Sequence, residues 1–172
     1  MNHRVTVLLL AATAMLAIPG TARPDDHRPE RRFRAALKGR NEVPLTLSAA
    51  RGSLTLRVND DDSSVHFVLE YSGIQTTVLF AHIHVGQPDV NGGVTVFFCG
   101  GGGRPACPQS GTVEGDFTAA DVIGLPTQQL EANNLEKVLK AIRAGKTYAN
   151  VHSMTSMGGE IRGQIGPDDN HW

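Results

Sequence analysis

The chain has 172 residues, 40% of them hydrophobic, and 16 Lys and Arg stand against 17 Asp and Glu for a formal charge of -1. That length suits one domain with a sizeable core. The balance of charge shows no clustered basic excess of the kind a phosphate-binding surface carries, so nucleic acid is not an expected partner.

Met1 to Ala22 reads as a secretory signal: Arg4 is the positive start, Val5 to Ile18 the apolar stretch, and Pro19-Gly20-Thr21-Ala22 the small-residue cleavage site. The apolar run is short for a bilayer span, and no later segment is long and apolar enough to make one. The expectation is an extracytoplasmic protein, periplasmic or secreted, with no transmembrane segment after cleavage. Residues 23–32 are charged and contain prolines, which fits a flexible lead-in. Regular structure is expected from Phe33, in a domain spanning 33–166.

Phe33, Ala35 and Leu37 alternate, and so do Leu54, Leu56 and Val58 in a second strand from Gly52. Asn59 to Ser63 is a turn; its three consecutive Asp lack the spacing of a calcium loop. The next strand, Val65 to Tyr71, turns His66 outward. From Thr77 to Val85 alternation places Val78, Phe80, His82 and His84 on one face. Leu79, Ala81, Ile83 and Val85 occupy the other, which is wholly apolar and should face the core. Both imidazoles then lie on the outer face, roughly 6.5 to 7 Å apart at Cα.

A loop over residues 86–93 leads to a strand at Val94 to Phe98. Cys99 and Cys107, the only cysteines, flank four consecutive glycines and three further residues. In an oxidising compartment they are expected to form a disulfide, whereas a structural zinc site would need four ligands. A strand at Gly111 to Phe117 and a short turn of helix at 118–121 follow. Asn133 or Asn134 can cap a helix from Leu135 to Arg143, ended by Gly145, with Leu135, Val138, Leu139 and Ile142 on one stripe. The last unit is a hairpin. Ala149 and Val151 face the core with Ile161 and Ile165, while Tyr148, Asn150, His152, Glu160, Arg162 and Gln164 face outward. Residues 167–172 are a tail. The fold class is all-β: an antiparallel Greek-key sandwich or barrel of about seven to nine strands, with a short helical insertion before the C-terminal hairpin.

His82, His84 and His152 reach the same kind of face by independent readings of alternation. If their strands are neighbours, three imidazoles approach one point, a donor set that suits zinc or copper. Glu160 is placed to orient a ligating ring through its second nitrogen, and Asn150 or Gln164 to do the same. Arg162 either attracts an anionic ligand or pairs with Glu160 at the surface. The competing reading is a non-catalytic module whose polar face binds a protein, a carbohydrate or another small ligand without metal, since antiparallel sheets commonly keep one wet face. No catalytic residue is assigned: there is no Gly-x-Ser-x-Gly elbow, and the glycines at 100–103 lack the Lys-Ser/Thr of a phosphate loop.

Four ordered segments resemble the signatures of the CHRD domain, named for the repeats of chordin and found also in bacterial secreted proteins. They are Leu37 to Pro44, Ala81 to Gly86, Tyr148 to Ser153 and Gly158 to Ile165. The resemblance implies an extracellular module and carries no activity with it. A weaker resemblance is to copper,zinc superoxide dismutase, a Greek-key barrel in which a His-x-His strand and a distant strand supply copper ligands. It implies a similar arrangement for His82, His84 and His152 and, as an alternative function, a copper enzyme of that kind. No run matches that family's zinc subsite.

Overall fold

The computed structural model describes residues 30–168; the expected signal, most of the lead-in and residues 169–172 lie outside the described residues. Nine strands and one α-helix follow in chain order: β1 Arg32–Lys38, β2 Arg51–Val58, β3 Ser64–Ser72, β4 Val78–Val85, β5 Gly93–Cys99, β6 Gly111–Thr118, α1 Leu135–Arg143, β7 Thr147–Ser153, β8 Ile161–Gln164 and β9 Gly166–Pro167. The first strand starts at Arg32, inside the expected lead-in. At the other end Pro167 belongs to the sheet, because Gly166 and Pro167 pair with Arg34 and Phe33 and Asp168 donates to the Arg32 carbonyl.

The hydrogen-bonded order is β5-β4-β7-β8-β1-β2-β3-β6, every pairing antiparallel, with β9 set against β1. β5 and β6 pack beside each other at the two ends of this path, so the sheet curls into a nearly closed barrel. Around the barrel the connections β3 to β4 and β6 to β7 each pass over two intervening strands, the Greek-key arrangement. That topology brings β4 beside β7, although more than 60 residues separate them.

One face of each strand fills the interior. Phe33, Leu37, Leu54, Leu56, Val65, Phe67, Leu69, Ile83, Val96, Phe98, Phe117, Val151 and Ile161 are buried there at period-2 spacing. The apolar stripe of α1 adds Leu135, Val138, Leu139 and Ile142 to the same core. Asn134 caps this helix, its side-chain oxygen accepting from the Lys137 amide. Asp62, in the turn of consecutive aspartates, receives both terminal nitrogens of Arg143 at 2.8 Å and so ties that turn to the helix end.

Alternation fails at one point of β4. Val78 lies in the core and Leu79 is half-buried outside it, the reverse of the expected faces. A register shift between Val78 and Phe80 in the pairing with β7 is the reason: an irregular residue there changes which face its neighbours occupy. From Ala81 onward the expected pattern holds.

Cys99 and Cys107 form a disulfide. Gly100, at φ +78°, starts the loop they close, and a Cβ there would lie 2.0 Å from the Leu79 carbonyl oxygen, so no side chain fits. The bridge closes a short loop with a run of glycines, which has much conformational freedom to lose on folding. Replacing both residues, Cys99→Ser/Cys107→Ser, is expected to lower unfolding stability by about 2.5 kcal/mol, the loop-closure entropy for a ring of this length, measured by urea denaturation.

Candidate metal centre

β7 runs antiparallel to β4 with Phe80 opposite His152, His82 opposite Asn150 and His84 opposite Tyr148. His82 and His152 are therefore diagonal neighbours on one face, a separation that ring side chains bridge. The ring centroids of His82 lie 4.6 Å from those of His84 and 4.5 Å from those of His152. One ring nitrogen from each of the three lies within 4.8 Å of the others. On its other side β4 pairs with β5 through register shifts next to both His82 and His84, the kind of bulge that re-aims side chains beside a site.

This face is not wet, contrary to expectation. His82, His84 and His152 are 2%, 8% and 5% exposed, and Tyr148, Asn150, Glu160 and Arg162 are buried with them. Over β4, β7 and β8 loops cover this side of the sheet, and main-chain carbonyls of those loops meet the rings. The Gly92 carbonyl accepts from His84 Nδ1 at 2.8 Å, and the Met157 carbonyl accepts from His152 Nδ1 at 2.9 Å. A carbonyl only accepts, so each Nδ1 carries the proton and each Nε2 keeps its lone pair. His84 Nε2, His152 Nε2 and His82 Nδ1 are buried without a protein partner, one nitrogen per ring.

Burial sets the charge state. Desolvation, reinforced by the neighbouring rings, pushes the His82 pKa down to about 2, and burial with a partial offset from the Gly92 carbonyl holds His84 at about 4. Burial lowers His152 as well. The three rings are neutral at physiological pH, the form that binds metal. An ion with bonds of about 2.0–2.1 Å sets tetrahedral nitrogens roughly 3.3 Å apart, so the 4.8 Å limit leaves at most about 1.5 Å to be closed by ring rotation. Phe80 and Phe97 line the cluster, with Phe80 5.6 Å from His82 and 5.0 Å from His152, and Phe97 edge-on to His82 at 5.0 Å.

The four expected supporting residues are placed differently, and the hydrogen bonds of Glu160 and Gln164 go to groups other than the histidines. Glu160 turns to hydroxyls, accepting from Ser48 at 2.7 Å and from Ser153. The second-nitrogen partners of His84 and His152 are the Gly92 and Met157 carbonyls, not Glu160. Gln164 donates to the carbonyls of Gly86 and Gly145 and holds loops. Arg162 does not pair with Glu160 at a surface. It is buried, donates to the carbonyls of Gln87 and Val90 and to Asn91 Oδ1, and lies 3.4 Å over the Tyr148 ring. Tyr148 in turn stacks on His84, 4.5 Å away and 7° from parallel, and accepts from the Gly92 amide through its hydroxyl. Arg162, Tyr148 and His84 form one column.

Asn150 donates to Glu42, a residue that strand alternation does not single out because it lies in the loop after β1. Glu42 is buried, and desolvation outweighs the nearby Arg162 charge, pushing its pKa up to about 7. Gly159 makes room for the pair: at φ +129°, a Cβ would lie 2.7 Å from the Asn150 amide atoms and 2.8 Å from Glu42 Oε1.

The sequence model of the CHRD domain matches residues 33–165. The chain belongs to the CHRD-domain family. No curated protein and no solved structure was found to match. The match runs from the second residue of β1 to just past β8, so the histidine face lies wholly inside the CHRD domain. Among the described residues, no helix is long and apolar enough to cross a membrane.

Glu42 yields a pH prediction. Its folded pKa of about 7 exceeds the unfolded value of 4.5, so its contribution is complete below pH 4.5 and is lost as pH rises through 7. Glu42→Gln is therefore expected to remove a decline of up to about 3 kcal/mol between those limits, read from unfolding curves across pH.

Proposed function

We propose that this CHRD-domain protein is exported and holds one copper or zinc ion through His82, His84 and His152. The observation that carries the reading is the set of three buried, neutral imidazoles, each with one nitrogen lacking a protein partner. Leaving such atoms unpaired costs stability, and convergence of three of them is best accounted for by an ion that accepts their lone pairs. Fixing the Nδ1 proton of two rings on backbone carbonyls is the second-nitrogen support that metal-ligating histidines use.

Three imidazoles leave a fourth position for an exogenous ligand, and the aromatic neighbours Phe80 and Phe97 restrict what reaches it. Asn150, Glu42 and Arg162 act one layer out, shaping polarity and charge around the ligands. Export is supported by the leading segment read from the sequence and is compatible with the disulfide.

The test is titration of copper and zinc against a competing chelator, with wild type and His82→Ala/His84→Ala compared after both are shown to fold. A loss of at least 100-fold in affinity is expected in the double variant. Equal affinities in the two proteins would remove the reading.

A further inference from the structure

Among the described residues there are two methionines, Met154 and Met157, and both sit on the loop between β7 and β8, 59% and 69% exposed. Methionine ordinarily fills gaps in a core. Here the interior is built from Leu, Ile, Val and Phe, and both thioethers are turned to solvent three residues apart, on the loop that follows His152.

The loop that carries them is fastened. The Met154 amide donates to the Thr77 carbonyl, the Thr155 amide and hydroxyl to Thr76 Oγ1, and the Ser156 amide to Ser153 Oγ. The Met157 carbonyl is itself the acceptor for His152 Nδ1. The backbone of one methionine thus meets a ring of the cluster, and the segment that carries both is anchored beside His152.

The charges around the histidines point to the same kind of ion. The cluster has three neutral nitrogens and no carboxylate among its ligand atoms. Arg162 fixes a positive charge one aromatic ring away from His84. That charge opposes a divalent ion twice as strongly as a monovalent one. Thioether sulfur is soft and favours Cu(I) over Zn(II). Both cysteines are in the disulfide, so no thiolate in the described chain competes for a soft ion.

We propose that Met154 and Met157 capture Cu(I) at the rim and pass it inward to His82, His84 and His152, so that the metal of this domain is copper in its monovalent state. This rests on the metal-site reading above and adds to it the ion and its route.

The experiment uses protein with its disulfide intact and methionine methyl groups labelled with carbon-13. Cu(I) is supplied as its bicinchoninate complex under ascorbate, Ag(I) serves as a redox-inert probe, and Zn(II) is the control. The Met154 and Met157 methyl resonances are expected to shift with Cu(I) and Ag(I) and to stay in place with Zn(II). Met154→Leu/Met157→Leu, at two exposed positions, is expected to take Cu(I) from the chelator at least tenfold more slowly while its zinc affinity stays within twofold of wild type. Stationary methyl resonances during Cu(I) binding, or loading of the Leu variant at the wild-type rate, overturns the capture role and leaves the histidine site standing. If His82→Ala/His84→Ala binds both metals as wild type does, the metal-site reading falls, and the inward transfer with it.

Discussion

A guanidinium buried against a tyrosine ring holds the second face of this barrel together. Arg162 sits in β8, yet its hydrogen bonds go to Gln87, Val90 and Asn91 in the loop between β4 and β5. A buried cation is tolerated only when its donors are satisfied, and here two main-chain carbonyls and the Asn91 side-chain oxygen accept from it. The loop is thereby drawn down over the sheet. Asn91 continues the tie by donating to the Val43 carbonyl, and Gly92 meets both Tyr148 and His84. Without that cover the histidines would be solvated surface residues with ordinary titration. With it they are buried, neutral rings.

The polar layer therefore follows from folding energetics as much as from chemistry. An antiparallel sheet can leave one face to water, and β2 and β6 do so here, whereas around β4, β7 and β8 the outer face is buried as well, with Glu42, Asn150, Glu160, Arg162 and the three histidines. Such a network is costly unless each member finds a partner. Glu160 finds two hydroxyls and Arg162 three oxygens, whereas the unpaired atoms gather around the histidines, Asn150 and Glu42. Most of the imbalance lies where β4, β7 and the surrounding loops converge; Thr147 Oγ1, on the core side of β7, stands apart from it.

Much of this was legible from residue order. Period-2 alternation separated His82 and His84 from Ala81 and Ile83, and independently put His152 opposite Val151, so the three rings were known to share a kind of face. Their meeting depended on β4 pairing with β7, which the Greek-key topology supplies and no local pattern encodes. Alternation also could not report burial, since the cover consists of backbone carbonyls from loops whose sequence carries no sign of where they fold. Val78 and Leu79 exchanged faces because an irregularity in pairing is a tertiary event. Glu42 lay within a segment that resembled the CHRD signatures, but beyond the end of its strand, where period-2 reasoning has nothing to say. The helix stripe and the cysteine bridge are local features, set by spacing within a few residues.

The barrel wall is not sealed by backbone pairing between β5 and β6, so each of these strands has a free edge along the seam. Both edges are guarded. On β5 the Thr95 carbonyl accepts from the Ile123 amide, and the Gly93 amide donates to the Gln128 side chain. On β6 the Asp116 carbonyl accepts from Arg104, which the disulfide loop carries. Exposed edges invite another chain to add a strand, and these contacts occupy the groups such a strand would use. The glycine-rich loop and the segment before α1 thus act as edge guards, turning the seam away from sheet-to-sheet assembly.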